Sequence, residues 1–247
     1  MHKRLMFQLC LMAVLPLAAQ GAEPFGHWTF DGRLDDTAGA AHGTFAGGAP
    51  TYVPGRLGQA VWFDGVDDAV VVMVENLRAY TMTAWVMPDR TNVAGIVTRT
   101  SPSGPTVHWS HQVRITPTGQ FEHYIYDGTS KGVVGTTPVE AGNWYFIAVS
   151  AADNGMLRLY VNGQEEGSPV PLGMLWSGGD RFHIGSNSGG DIGWFQGVID
   201  DVRIYDQELA QADLAALIAA APFPFAFSPQ PKNGTMLEQT SVKLSWN

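Results

Sequence analysis

Short apolar segments separated by turn residues are the feature that most constrains how this chain can fold. About ten segments alternate or run apolar over strand length, and pairs such as Asp64-Gly65 and Asn162-Gly163 separate them. Asn-Gly directly after residues 156–161 predicts a type I′ hairpin. The pattern predicts an all-β fold, namely a two-sheet antiparallel jelly-roll sandwich. The predicted strands cover residues 25–30, 60–63, 69–74, 81–87, 111–115, 121–126, 144–150, 156–161, 181–184 and 196–205.

The last predicted strand carries an acidic residue on a face that should be buried. Alternation places Val198, Asp200, Val202 and Ile204 on one side, and all of these except Asp200 are aliphatic. A buried carboxylate without a partner is costly, so Asp200 requires an arginine, backbone N–H groups or a metal ion. Asp206 is then expected to cap one short C-terminal helix over residues 207–219.

The N-terminus has the pattern of a secretory signal peptide over residues 1–22. Basic residues precede an apolar run over residues 5–17, and small residues at 18–22 suit cleavage. That run is too short to span a membrane. We therefore expect a secreted, periplasmic or cell-surface protein that is not inserted in the membrane after cleavage. Cys10 is the single cysteine and lies in this peptide, so no disulfide is expected.

Residues 23–220 are predicted to form one domain, and the chain is expected to belong to a longer protein. The proline-rich stretch 221–228 is typical of a stiff linker. Residues 229–247 contain one more alternating segment, which cannot form a core alone and predicts the truncated start of a second β-domain. Cleavage of the signal peptide removes Lys3 and Arg4 and changes the net charge from −9 to −11, which argues against nucleic acid as a partner.

Six motifs in order resemble those of LamG-like jelly-roll domains. They are GHWTFD at 26–31, GRLGQAVWFDGVDD at 55–68, YTMTAWV at 80–86, GNWYFIAV at 142–149, LRLYVNG at 157–163 and GVIDDVRIY at 197–205. The resemblance covers roughly residues 24–219 and implies a concanavalin A-like lectin/glucanase sandwich, of the laminin G and pentraxin kind, with two sheets of about six or seven strands. It also implies a secreted bacterial multidomain protein, and the tail from Pro229 resembles the start of an Ig-like neighbour.

The sequence predicts no catalytic residues. Retaining glucanases need two carboxyl groups about 5 Å apart on one face of a cleft. The acidic pairs of this chain are adjacent in sequence, as in Asp67-Asp68 and Asp200-Asp201. In extended strands such neighbours point to opposite faces. We therefore expect a binding domain and not an enzyme.

Acidic turns supply oxygen ligands for one possible cofactor, a structural calcium ion. Ca²⁺ takes about six to eight oxygen ligands, and many LamG-like domains hold a calcium at the sandwich edge. The candidate ligands are Asp31, Asp36, Asp64, Asp67 and Asp200. An alternative stays open, in which three of these form Asx-turns and Asp200 pairs with an arginine such as Arg56.

Aromatic and planar polar residues mark a candidate sugar site. Sugar C–H faces stack on aromatic rings, and hydroxyl groups need oriented polar partners. The predicted ligand-binding residues are Trp109, Gln112, Arg114, Tyr124, Tyr126 and Trp194, whereas Trp28, Trp62, Trp85 and Trp144 lie in strand motifs and are predicted to be core. The expected function is a non-catalytic module that binds a glycan or an extracellular protein. The alternatives are a structural or adhesive spacer and an accessory domain of a downstream glycoside hydrolase.

Overall fold

The computed structural model describes residues 21–75, 77–100, 109–126, 129–175, 181–186 and 193–221. Within these ranges the chain forms an all-β sandwich with one helix, which confirms the predicted fold class. The signal peptide up to residue 20, the linker beyond Ala221 and the second β-domain lie outside the described residues. The strands are β1 (Gly26–Trp28), β2 (Thr44–Ala46), β3 (Thr51–Pro54), β4 (Gln59–Asp64), β5 (Ala69–Met73), β6 (Ala79–Pro88), β7 (Ala94–Thr100), β8 (Trp109–Ile115), β9 (Gln120–Tyr126), β10 (Ser130–Pro138), β11 (Tyr145–Ala152), β12 (Met156–Val161), β13 (Gln164–Pro171), β14 (Arg181–Ile184) and β15 (Gln196–Tyr205), and the helix is α1 (Gln211–Ala220).

Two antiparallel sheets form the sandwich. The eight-stranded sheet has the order β13-β12-β11-β6-β15-β4-β3, with β1 paired to β15, and the seven-stranded sheet has the order β10-β9-β8-β7-β14-β5-β2. Neighbouring strands come from distant parts of the sequence, as in a jelly roll. The predicted hairpin is present, because Val161 pairs with Gln164 and both Asn162 and Gly163 have positive φ.

The main core lies between the two sheets and follows from the alternation of the strands. Trp28, Val61, Phe63, Ile147 and Phe182 are among its buried members. A second, smaller cluster lies on the outer face of the eight-stranded sheet, where Leu209 and Leu214 pack over strand residues. The helix and the turn between β3 and β4 therefore cover one part of that outer face.

The predicted alternation of β15 is wrong at its centre. A register shift lies between Asp200 and Arg203, and Asp201 has φ of 48°, which together describe a β-bulge. The extra residue moves Val202 and Ile204 into the main core while Asp200 stays on the outer face. Asp200 is nevertheless fully buried, as predicted, because the outer face is covered there.

The helix begins later than the sequence predicts. It starts at Gln211 after Ala210, and the Asp213 carboxylate accepts a hydrogen bond from the Ala210 N–H at 3.1 Å. Asp206 is exposed and precedes the helix by a full turn, so it is not the N-cap. The side chain of Asp213 takes over the role predicted for Asp206, which is to satisfy a free N–H at the helix start.

Candidate functional site

A row of cross-strand neighbours crosses the outer face of the seven-stranded sheet. His183 pairs with Thr98, Thr98 with Gln112, Gln112 with Tyr124 and Tyr124 with Gly132. Residues next to them in sequence, such as Val113 and Phe182, point into the main core. The sequence therefore places a polar row, defined here as His183, Thr98, Gln112 and Tyr124, on the side away from the core.

Arg114 and Tyr124 form a flat platform at one end of the polar row. The Arg114 guanidinium lies over the Tyr124 ring at 4.2 Å from its centroid, and its Nε donates to the Glu122 carboxylate at 2.7 Å. Arg114 and Tyr124 are both half-buried, so part of the platform faces solvent. Stacking on an aromatic face and pairing with a carboxylate hold a guanidinium in one orientation.

Gly132 on the edge strand makes room for this platform. A Cβ atom at Gly132 would lie 2.4 Å from Glu122 Oε1 and 3.6 Å from the Tyr124 ring. The first distance is too short for real contacts, so a side chain here would displace the carboxylate that holds Arg114. Next to Gly132, the Ser130 hydroxyl is 2.9 Å from the Tyr124 hydroxyl.

Gln112 lies beside the platform with its side-chain amide unpaired. It is fully buried, and neither its Oε1 nor its Nε2 has a hydrogen-bond partner. The nearby Ser186 hydroxyl is buried and unpaired as well, whereas Thr98 Oγ1 donates to the Ser186 carbonyl oxygen at 2.8 Å. A buried amide without partners costs free energy, so this position has unused hydrogen-bonding capacity. The middle of the polar row is closed to solvent and its Tyr124 end is open.

Of the predicted ligand residues, Gln112, Arg114 and Tyr124 come together at this platform. Trp109 lies at the start of β8 and Tyr126 at the end of β9, but their side chains lie outside the described residues. Trp194 is half-buried, and the preceding carbonyl oxygen of Gly193 accepts a hydrogen bond from Gly95, the cross-strand partner of Arg114. Trp194 is thus anchored to the same sheet, at the β7 side of the platform.

Buried histidines support the inner side of the same sheet. Tyr80 and Arg158, both outside this sheet, bracket the His123 ring: its Nε2 is 2.8 Å from the Tyr80 hydroxyl and its Nδ1 is 2.8 Å from the Arg158 carbonyl oxygen. Burial lowers the pKa of His123 to about 3 and that of His111 well below its ordinary value. Both rings are therefore neutral at physiological pH and act as packing elements of the core.

The turn between β4 and β5 holds the group of acidic side chains best placed for a metal. Oxygen atoms of Asp64, Asp67 and Asp68 lie within 4.8 Å of one another, the one such group found among the described residues. Burial and the two neighbouring carboxylates raise the pKa of Asp68 against the effect of a backbone N–H. Oxygen ligands gathered at one turn suit a hard cation such as Ca²⁺. Asp64 also accepts the Val66 N–H at 2.8 Å, so it forms an Asx-turn as well.

The other predicted metal ligands do not join that group. Asp31 accepts the Gln59 N–H at 2.7 Å. Asp36 accepts four backbone N–H groups, which lower its pKa although burial acts in the opposite direction. Both carboxylates are therefore used to fix loops. The local bonds of Asp36 to Ala38 and Gly39 are those of the turn alternative, whereas Asp31 was not part of that alternative and joins two distant segments.

Asp200 lies near Arg56, the arginine that the sequence analysis names as an alternative to a metal ion. Its Oδ2 accepts the Leu57 N–H at 2.8 Å, while its Oδ1 has no hydrogen-bond partner. Arg56 is buried, lies over the Trp85 ring at 4.5 Å and interacts electrostatically with Asp200. Burial raises the pKa of Asp200 to about 7.

Asp201, next to it on the bulge, is held ionised by contacts with His27 and Arg203. Its Oδ1 lies 2.7 Å from His27 Nε2 and 3.0 Å from Arg203 Nη2. Burial raises its pKa, but His27 and Arg203 outweigh this effect and lower it below the ordinary value. The bulge thus places two adjacent carboxylates in environments that shift their pKa values in opposite directions. Both carboxylates have a structural role.

The sequence reasoning missed several residues of the outer faces. Thr98 and His183 belong to the polar row but lie on strands with few pattern signals, so cross-strand register is needed to find them. Trp28 and Trp85 are buried as predicted, whereas Trp62 and Trp144 are only half-buried and point away from the main core. Alternation with the buried neighbours Val61 and Phe63 is the signal that could have identified Trp62.

Comparison with known families agrees with this architecture. The family model described as "Concanavalin A-like lectin/glucanases superfamily" matches residues 63–215, which is more than half of the chain. The chain belongs to this superfamily. The resemblance inferred from the six motifs is therefore confirmed. No matching sequence is found among curated proteins.

Solved structures similar to this superfamily member include domains of larger proteins. Domain 4 of AbnA, a GH43 extracellular arabinanase from Geobacillus stearothermophilus in complex with arabinotriose, has a TM-score of 0.67 and 24% identity, covering 81% of this chain and 100% of that chain. The receptor-binding domain of botulinum neurotoxin C/D mosaic serotype has a TM-score of 0.61 and 15% identity, covering 80% and 51%. Trypanosoma rangeli sialidase has a TM-score of 0.62 and 18% identity, covering 79% and 32%. At these identities the similarity shows the fold alone.

Among the residues that the structure describes, no helix is long and apolar enough to cross a membrane.

Proposed function

We propose that this chain is a secreted, non-catalytic module that binds carbohydrate as part of a larger extracellular protein. The observation that carries the proposal is the half-exposed platform of Arg114 stacked on Tyr124. A flat, half-exposed ring with a planar cation offers a stacking surface for a sugar ring. The Arg114 guanidinium supplies N–H donors, which sugar hydroxyl groups can accept.

The absence of catalysis is part of the proposal. Glu122 is the carboxylate beside the platform, and it is paired with Arg114 at 2.7 Å. In this proposal the Glu122 carboxylate serves to hold the Arg114 guanidinium in place. Asp200 and Asp201 are buried on the other sheet, away from the platform.

Binding of a glycan panel tests the proposal. The intact protein, applied to an array of polysaccharides and oligosaccharides, is expected to bind a defined subset. Tyr124→Ala is expected to weaken that binding by about tenfold, which is about 1.4 kcal/mol and within the range of aromatic contacts. Tyr124→Phe keeps the ring under Arg114 and is the matched control, for which we expect near-normal affinity. An array without any signal would reject carbohydrate binding and favour the spacer alternative.

The similarity to domain 4 of an extracellular arabinanase, over the whole of that domain, favours one version of this function. In this version the chain is an accessory module that holds a catalytic domain on its polysaccharide. The sequence of the complete open reading frame tests this version, because a hydrolase domain in the same polypeptide is the expected finding. A full-length chain composed of further binding domains alone would reject the accessory role and leave carbohydrate binding intact.

A further inference from the structure

The outer face of the eight-stranded sheet has a part that neither α1 nor the second cluster covers. Trp62 on β4 pairs with Val198 on β15, and Val198 pairs with Met87 on β6. Trp144 directly precedes β11, and the pairing of Tyr145 with Val86 places Trp144 next to Met87. These four residues form an aromatic row with a tryptophan at each end.

The tryptophans of this row are accessible. Trp62 and Met87 are half-buried and belong to neither hydrophobic cluster. Trp144 is half-buried too and packs against the second cluster from its side. Val198 between them is buried, so it forms the floor of the row. Two large half-exposed aromatic side chains on one sheet face are not explained by packing of the core.

Polar groups flank Trp62 in the manner of a ligand site. The Trp62 indole N–H donates to the exposed Asp89 carboxylate at 2.9 Å, which fixes the orientation of the ring. Gln196 and Asp64 form the next cross-strand pair and are half-buried. Arg90 follows β6 and donates to the carbonyl oxygen of Gly65, in the turn after β4, at 2.9 Å. Oriented rings beside amide and carboxylate groups are the combination that binds sugar rings and their hydroxyl groups.

We propose that the aromatic row of Trp62, Val198, Met87 and Trp144 is a second glycan-binding site, separate from the Arg114–Tyr124 platform, and that it takes a neutral oligosaccharide. The two tryptophans are separated by three strand spacings, or about 14 Å, a span of several sugar units. Among the described residues that flank Trp62, the carboxylates of Asp64 and Asp89 outnumber the cation Arg90, so an acidic glycan is disfavoured.

The size of the row favours a glycan over a protein partner. A standard protein interface covers about 800 Å² on each side and about 20–30 residues. The aromatic row has four side chains, and the covered part of the sheet begins beside it. A narrow line of rings matches a single extended chain. Because the row and the platform lie on different sheets, one domain would contact two glycan chains or two parts of one polymer.

Isothermal titration with neutral oligosaccharides of several lengths tests this inference. The wild-type protein is expected to bind two equivalents of a ligand that both sites accept. Trp62→Ala and Trp144→Ala should each remove one equivalent, and Tyr124→Ala should remove the other. Met174→Ala, which changes an apolar side chain that is 62% exposed and belongs to neither site, is the control expected to keep both equivalents. Thermal unfolding of each variant shows whether it is folded.

The possible outcomes separate the two sites. Loss of all binding in Tyr124→Ala, with unchanged binding in folded Trp62→Ala and Trp144→Ala, would overturn the second site and leave the proposed function standing. Residual binding in Tyr124→Ala that is lost when Trp62→Ala is added supports the second site. If both tryptophan variants are unfolded, Asp89→Asn, which weakens only the hold on the Trp62 ring, should lower the affinity of that residual site several-fold. Unchanged affinity in the folded Asp89→Asn variant would count against it.

Discussion

Asp200 is a carboxylic acid that the fold holds away from water beside a buried arginine. Its raised pKa of about 7, caused by burial, means that the folded state favours the protonated form more than the unfolded chain does. The stability associated with this group is therefore fully present below the unfolded value of 3.8 and is lost as the pH rises through about 7. The difference between the folded and unfolded pKa values of Asp200 corresponds to about 4 kcal/mol of unfolding free energy.

Asp200→Asn is expected to become more stable relative to wild type as the pH rises from about 4 to about 7, with a constant difference above that range. Urea unfolding across this interval measures it. Buried His111, His123 and His183 have lowered pKa values, so they make both proteins less stable towards acid, and their effect cancels in the difference. In the variant Arg56 loses its anionic neighbour, which changes stability at every pH. The test is therefore how the stability difference between the two proteins varies with pH, and not its absolute size. A difference that does not vary with pH would contradict the raised pKa.

The strands with strong alternation and clear turn residues were predictable, whereas four of the five missed strands lie at sheet edges and the fifth, β7, is central. All ten predicted segments contain strands, because burial of one or both faces leaves a pattern. The missed strands are β2, β3, β7, β10 and β13. β13 is an edge strand with an exposed glutamate, Glu165, and two prolines, and β10 contains two glycines. Such sequences are stabilised by their neighbours and carry little pattern of their own.

The candidate site on the outer face of the seven-stranded sheet was also predictable only as far as local sequence pattern reaches. Gln112, Arg114 and Tyr124 were found from alternation within each strand, since a residue between two core positions must point outwards. Their contact with one another depends on the register of β8 with β9, which no local pattern encodes. The bulge at Asp200 and Asp201 shifts alternation in a single step, so Val198 and Asp200 were assigned to the face of Val202 and Ile204 although they lie on the opposite face.

The turn between β4 and β5 is the element at which the calcium prediction can be tested. Addition of Ca²⁺ is expected to raise the melting temperature, because the Asp64, Asp67 and Asp68 carboxylates repel one another until a cation is bound. Asp68→Asn should remove most of the Ca²⁺ effect. Asp31→Asn, whose carboxylate binds a backbone N–H outside this group, is the control that should retain it. Equal melting curves with excess Ca²⁺ and with excess chelator would reject a calcium site.

On the scale of the whole molecule, the sandwich is held closed by contacts between distant segments. The Arg56 guanidinium donates to the Ala221 carbonyl oxygen at 3.3 Å, and Asp200 accepts the Leu57 N–H, so the β3–β4 turn, β15 and the end of α1 meet at one place. The buried Ala221 side chain belongs to the second hydrophobic cluster. These contacts place Ala221 inside the folding unit, one residue beyond the sequence-based boundary at residue 220.

A shortened protein of residues 23–221 is therefore expected to unfold cooperatively, with a melting temperature within a few degrees of that of the protein extending to residue 247. A version ending at residue 219 loses the buried Ala221 side chain and the carbonyl acceptor of Arg56, so it should melt at a clearly lower temperature. The penalty for a buried cation that loses an acceptor is about 1–3 kcal/mol. For a domain of this size that energy corresponds to a shift of about 2–10 °C. Equal melting of the two shortened proteins would show that the end of the helix does not contribute to the folding unit, and a much lower melting temperature for both would place the boundary beyond Ala221.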